Sequence, residues 1–173
     1  MVQPLIFKEI EMSGFSTWLR ESPSVFAFYF VLCFHTIGMV LLVGPSTAIS
    51  LRLLGVANDL PILPLKRLFS YIYAGFFINV ASGLLLLYAY PTKAFTNPDF
   101  YIKMALVGFG MWMITKMKNT VFADNGMSDA ARMAMGVGLA QWTLITWIAV
   151  ITAGRLLAYT YTYLLYGAYA PGG

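Results

Sequence analysis

Four long apolar segments, separated by short polar loops, constrain this sequence more than any other feature. They cover residues 24–54, 68–90, 99–117 and 131–157. An α-helix rises about 1.5 Å per residue and the hydrocarbon layer of a bilayer is about 30 Å thick, so about 20 apolar residues cross it. The sequence therefore predicts four transmembrane helices. The third is the shortest, and we expect Lys103 and Lys116 to reach towards opposite membrane surfaces.

The composition also indicates an integral membrane protein. Hydrophobic residues make up 60% of the 173 residues and charged residues 10%, whereas about a quarter of an ordinary soluble domain is charged. The net charge is +4, but the basic residues fall between the apolar segments, where lipid headgroups explain them. We therefore expect contact with the lipid bilayer and no binding of nucleic acid.

Local signals predict where several helices begin and end. Phe15, Trp18 and Leu19 have helical spacing, which is typical of a short amphipathic helix at the membrane surface. Gly55 is a suitable C-terminal cap for the first span, and Asn97 is a suitable N-terminal cap for the third. The predicted fold is a single all-α domain over residues 1–173, with four transmembrane helices after a short N-terminal interfacial helix. Tyrosines follow the last span as a tail, at positions 159, 161, 163, 166 and 169.

The single histidine, His35, lies near the middle of the first apolar segment. An ionisable side chain at that depth is costly unless it faces the protein interior and has a partner. On a helix, His35 shares a face with Gly38 and Met39, so the His35 imidazole and the Met39 thioether could bind one metal ion. Gly38 has no side chain, and the gap that it leaves would admit a flat ring. This predicts a cofactor site with His35 as metal ligand and haem b, copper or a quinone as cofactor. One alternative is a neutral His35 that holds helices together by bonding Asn79, Gln141 or a backbone carbonyl; the other is a proton-relay role for His35.

A second pattern predicts close helix packing in the second apolar segment. Gly75, Asn79 and Gly83 recur every four residues on one face, and small residues allow another helix to approach closely. The partner helix is either in the same bundle or in a neighbouring subunit. We expect Gln141 of the fourth segment to take part in helix packing as well.

Catalytic signatures are missing from the sequence. With one histidine deep in a span, a Ser-His-Asp triad is not possible, and neither paired carboxylates at membrane depth nor a phosphate-binding glycine loop occurs. The single cysteine, Cys33, excludes a CxxC metal motif. We therefore do not expect an enzyme that acts alone.

Several short motifs resemble one family. They are FSTWLRESP (15–23), HTIG (35–38), SLRLLG (50–55), GF (75–76) with Gly83, NPDF (97–100) with Lys103, and GRLLAY (154–159). In this order they resemble an uncharacterised family of small four-helix bacterial inner-membrane proteins, a domain of unknown function with a His-x-x-Gly turn and a Leu-Arg-Leu-Leu-Gly motif. The resemblance implies a multi-pass protein of the bacterial cytoplasmic membrane. Ser50 departs from the family pattern, which has an aspartate there, so a proton or cation role of that carboxylate is not implied.

Two functions remain open from the sequence. The first is a non-catalytic accessory or anchor subunit of a larger redox or energy-converting membrane complex, with other membrane subunits or further copies of itself as partners. The second is an electron-transfer membrane protein that uses His35 to bind haem, copper or a quinone; it has a vaguer likeness to copper-resistance domains and di-haem cytochrome b subunits. The basic residues of loops one and three cluster beside the spans, which favours a cytoplasmic location for both loops.

Overall fold

The structure is a computed structural model that describes residues 5–24 and 26–166. Within these residues all regular secondary structure is helical, as predicted. The helices are α1 (Leu5–Glu11), α2 (Gly14–Glu21), α3 (Phe28–Leu53), α4 (Leu68–Ala89), α5 (Pro91–Phe95), α6 (Pro98–Val121) and α7 (Asp129–Tyr166), with a 3-10 helix (Leu63–Arg67) directly before α4.

Three helical segments are long and apolar enough to cross a membrane. They are Phe28–Leu53, Leu63–Ala89 and Asp129–Leu157. Their outward faces carry large exposed apolar side chains such as Phe77, Trp142 and Ile148, which suits contact with lipid. The prediction of a membrane protein is therefore supported for these three segments. Helix α6 is not among them, so the fourth span stays a prediction.

Several predicted boundaries differ from the structure. The single interfacial helix is in fact two helices, α1 and α2, separated at Ser13, whose hydroxyl oxygen accepts a hydrogen bond from the Ser16 N–H. Helix α6 is longer than predicted and ends at Val121. The tyrosine-rich tail is not a separate element up to residue 166, because α7 continues through it. Position 169 lies outside the described residues.

Two predicted helix caps are confirmed. Gly55 has a φ of +93°, which a glycine adopts without strain. The N–H of Val56 donates to the Leu51 carbonyl at 3.0 Å, which closes the C-terminus of α3. At the start of α6, the Asn97 side-chain oxygen accepts a hydrogen bond from the N–H of Asp99 at 3.0 Å.

The long helices form two pairs. Helix α3 packs along α4, α6 packs along α7, and α3 against α7 joins the pairs. The main buried core lies towards the end where the α3–α4 and α6–α7 loops are, which we call the loop end. Its members include Leu42, Ile49, Leu53, Phe69, Ile72, Ile114, Met117, Val121, Phe122 and Trp147. Helices α4 and α6 meet at this end, where the ring centroids of Phe69 and Phe122 are 5.2 Å apart.

Two buried arginines stabilise the loop end through hydrogen bonds to backbone carbonyls. Arg132 is fully buried and donates to the backbone oxygens of Met127, Val121 and Asp124. Val121 is the last residue of α6, and Asp124 and Met127 lie in the loop after it, where backbone acceptors lack helical partners. Arg52 binds the loop after α3 through the Asn58 carbonyl at 3.0 Å and also lies near a carboxylate oxygen of Asp129, at 3.8 Å.

At the opposite end, α1, α2 and α5 cover the C-terminus of α4; we call this the cap end. The Ser16 hydroxyl donates to the carbonyls of Tyr88 and Ala89 at 3.2 and 3.3 Å. Arg20 donates to the Ala89 carbonyl at 3.0 Å and forms an ion pair with Glu11 at 3.4 Å. The amphipathic N-terminal segment is therefore fixed to the bundle by the free carbonyls of α4.

Candidate functional site

The backbones of α3 and α4 touch at two glycines. A Cβ atom on Gly75 would lie 2.6 Å from the Leu42 nitrogen and 2.7 Å from the Gly38 oxygen. A Cβ atom on Gly38 would lie 2.8 Å from the backbone nitrogen of Asn79. Only glycine fits at these two positions, so the small-residue stripe of α4 faces α3 of the same chain.

His35 lies on the continuation of this contact towards the cap end. A Cβ atom on Gly83 would lie 3.4 Å from Cε1 of the His35 ring, so this glycine provides the space for the imidazole. The Asn79 side-chain amide donates to the His35 backbone carbonyl at 2.9 Å. Asn79, one of the three partners that the sequence offered for the His35 ring, therefore bonds the backbone of His35.

Ser82 orients the His35 ring. Nδ1 of His35 lies 3.0 Å from the Ser82 oxygen, and the same oxygen lies 2.7 Å from the Ile78 carbonyl. A hydroxyl has one proton, and Ile78 is the nearer acceptor, so Ser82 donates to Ile78 and accepts from Nδ1–H. In the neutral ring this leaves the Nε2 lone pair free to accept a hydrogen bond or bind a metal.

Lys103 approaches the same region from α6. It is half-buried, and its Cε atom would lie 3.9 Å from a Cβ atom on Gly154 of α7. It also lies within electrostatic range of His35. Among the described residues, neither the Lys103 ammonium nor Nε2 of His35 has a hydrogen-bond or ion-pair partner. The site thus combines one free acceptor nitrogen with one free cationic donor.

The depth of the site differs from the prediction. From Phe28 to His35 the helix rises about 10 Å, so His35 lies nearer the cap end than the middle of α3. The reason is that α3 begins at Phe28, four residues later than the predicted span. Lys103 lies at a similar distance from the start of α6, because that helix begins at Pro98.

The remaining predicted site residues lie elsewhere or are blocked. The gap at Gly38 is filled by the α4 backbone, so a flat ring does not fit there. Met39 is half-buried on α3. Gln141 is exposed on α7 and does not join the packed face, because the buried face of that helix runs through Ala140, Thr143, Thr146 and Trp147.

The donor set around His35 is poor in metal ligands. No group of three or more His, Cys, Asp or Glu side chains that could hold a metal ion occurs in the part of the chain that the structure describes. Cys33 is exposed on α3.

Comparison with protein-family models, curated proteins and solved structures found no match. The resemblance to a family of inner-membrane proteins therefore stays a prediction.

Sequence reasoning missed Ser82 and Lys103 as members of the site. A serine in a membrane helix usually bonds its own preceding turn, so Ser82 carries no distinctive signal. Lys103 did carry one, since a lysine inside an apolar helix is costly unless it reaches a membrane surface or a polar partner. The sequence alone does not show whether the Lys103 side chain points into the bundle or towards a membrane surface.

Proposed function

We propose that this protein is an integral membrane protein with four transmembrane helices that binds a small lipid-soluble molecule of the quinone class between α3, α4 and α6. The observation that carries the proposal is the pair of unpartnered polar groups, Nε2 of His35 and the Lys103 ammonium. Both side chains are half-buried on helices that we propose to lie in lipid, where water does not serve as a hydrogen-bond partner, so a ligand with matching groups explains both. We place the protein in the bacterial cytoplasmic membrane on the strength of the sequence resemblance.

The proposal of a fourth span depends on the course of α6. This helix begins beside the cap end, where the rings of Phe95 and Phe100 are 5.6 Å apart. It ends at the loop end, next to Phe122, whose ring contacts Phe69 in the first turn of α4. These contacts at its two ends, together with its packing along α7, support a fourth span in spite of Lys103 and Lys116.

The chemistry of a quinone matches the two free groups. A quinone has carbonyl oxygens, which accept from the Lys103 ammonium, and its reduced form has hydroxyl groups, which donate to Nε2 of His35. A molecule of this kind also has an apolar tail that the surrounding hydrocarbon dissolves. Ser82 contributes by holding the ring in the tautomer that presents a lone pair at Nε2.

The other two predicted cofactors fit the geometry less well. A haem b needs the gap at Gly38, which the α4 backbone fills. Protein-bound haem in membrane bundles also uses a second axial ligand, and the sequence has one histidine. Copper needs several ligands close together, and the described residues contain no group of three or more His, Cys, Asp or Glu side chains that could hold a metal ion.

A binding titration tests the quinone proposal. Purified protein in nanodiscs is titrated with a short-chain quinol, the reduced form that can both accept from Lys103 and donate to Nε2 of His35, while tryptophan fluorescence is recorded. We expect saturable quenching in the wild type and at least tenfold weaker binding in Lys103→Met and in His35→Ala. The matched control is Lys116→Met, which removes an exposed lysine at the other end of α6 and should bind like the wild type.

The outcomes separate the alternatives. Absence of saturable binding in the wild type, or equal affinities for Lys103→Met and Lys116→Met, would refute the quinone site. Thermal unfolding of each variant shows whether it is folded. A Soret absorption band that disappears in His35→Ala would replace the quinone by haem.

One observation favours the accessory-subunit function as a second candidate. Phe26, Phe30 and Phe34 form an exposed aromatic ridge on and just before α3, with ring centroids 6.0 and 4.7 Å apart. A row of large side chains at helical spacing suits packing by a helix of another subunit or of a second copy. Purification from native membranes tests this: if the chain is recovered alone as a monomer, the subunit function is wrong.

A further inference from the structure

We propose that the loop end carries a binding site for the headgroup of an anionic phospholipid, formed by Lys66, Arg67 and Asn125. This site is separate from the His35 region and does not depend on the proposed quinone binding. It lies in an open depression of about 610 Å³ that is lined by Leu63, Pro64 and these three residues. The depression lies where the 3-10 helix leads into α4, at the predicted membrane surface.

The polar groups in the depression are arranged as donors. The Lys66 ammonium donates to the Asn125 side-chain oxygen at 3.1 Å. This bond uses the acceptor of the amide, so its NH₂ group is left as a further donor. The Arg67 side chain is exposed and has no hydrogen bond or ion pair with any described residue. An ammonium, a guanidinium and an amide NH₂ together match the oxygens of a phosphate group.

Nearby carboxylates do not neutralise the two cations. Asp124 accepts a hydrogen bond from the N–H of Gly126 at 2.8 Å. Asp129 lies 3.1 Å from the N–H of Ile62 and faces Arg52. Among the described residues no carboxylate, Asp59 included, forms an ion pair with Lys66 or Arg67, so both cations stay available to an anionic ligand.

The location favours a lipid as the source of the phosphate. Leu63 and Pro64 offer apolar contacts beside the cations, and a headgroup is joined to apolar chains, whereas free phosphate is not. Lys116 and Lys118 on α6 add positive charge at the same end. Clusters of basic residues next to membrane helices bind anionic lipids of the cytoplasmic leaflet, which agrees with the predicted cytoplasmic location of the loop end.

The test compares lipids and charge-matched variants. Full-length protein in nanodiscs of phosphatidylcholine is titrated with phosphatidylglycerol, and bound lipid is counted by native mass spectrometry. Each basic residue at an anionic surface changes affinity about fivefold, so Lys66→Gln with Arg67→Gln should weaken phosphatidylglycerol binding about 25-fold. The control, Lys8→Gln with Arg155→Gln, removes two exposed basic residues at the cap end and should change binding less than threefold.

Three results would overturn the site. The first is equal loss of binding in both double variants, which indicates a non-specific effect of net charge. The second is equal binding of phosphatidylcholine and phosphatidylglycerol by the wild type. The third is displacement of the lipid by millimolar inorganic phosphate, which indicates a site for a free anion. Quinone titration of Lys66→Gln with Arg67→Gln should match the wild type, so failure of either proposal leaves the other testable.

Discussion

Because α3 and α4 are in backbone contact, we expect Gly75→Ala to destabilise the protein. The new methyl carbon would lie 2.6 Å from the Leu42 nitrogen, 2.7 Å from the Gly38 oxygen and 2.8 Å from the Leu41 carbonyl carbon. Real Cβ contacts are essentially never below 3.0 Å. All three neighbours are backbone atoms, so no side chain can rotate away and the two helices must separate by several tenths of an ångström.

The cost of this separation has two parts. Overpacking of a tight contact costs about 1–3 kcal/mol. The Asn79 amide bond to the His35 carbonyl, 2.9 Å in the structure, lengthens at the same time, and an interhelical hydrogen bond in a membrane protein contributes about 0.6 kcal/mol. We therefore expect a loss of about 2–3 kcal/mol, which lowers Tm by roughly 5–10 °C for a chain of this size.

The assay is thermal unfolding of the detergent-solubilised protein, followed by circular dichroism. Gly44→Ala is the matched control, because it is a glycine inside α3, the helix that packs on α4, and a Cβ atom there meets nothing within 4 Å. Its Tm should equal or exceed that of the wild type, since alanine favours the helix. If Gly75→Ala and Gly44→Ala melt at the same temperature, the backbone contact is not as close as described and the argument for the α3–α4 packing fails.

Three further predictions concern other parts of the bundle. Arg132→Met leaves buried carbonyls without a donor and should lower the free energy of unfolding by at least about 2 kcal/mol, measured by denaturant titration, whereas exposed Arg155→Met should change it by less than about 0.5 kcal/mol. Asn97→Ala removes the cap of α6 and a bond to Thr160 of 2.9 Å, so it should cost about 1 kcal/mol and speed hydrogen exchange in the first turn of α6; unchanged exchange contradicts this. Cys33 is exposed on α3, one of the three helices that are apolar enough to span a membrane. If α3 spans the bilayer, a charged maleimide should label Cys33 only after detergent dissolves the liposomes; rapid labelling in intact liposomes would place it in water.

The sequence predicted local structure well because local signals depend on few residues. The cap at Gly55 follows from the freedom of glycine to adopt positive φ, and the start of α6 follows from an asparagine before a proline. Apolar length predicted the three segments that can span a membrane. The predicted ends of α6 and α7 were wrong, because polar residues continue each helix beyond its apolar part.

The relative rotation of the helices was decided by tertiary structure alone. Helices that are apolar on every side do not reveal which face packs inward, and α3 and α4 are of this kind. Periodicity therefore identified the stripe through Gly75 and Gly83, but it did not show that α3 covers this stripe or that the α4 backbone fills the gap at Gly38. The pairing of His35 with Ser82 and the inward direction of Lys103 depend on how four helices cross, which involves residues far apart in the chain.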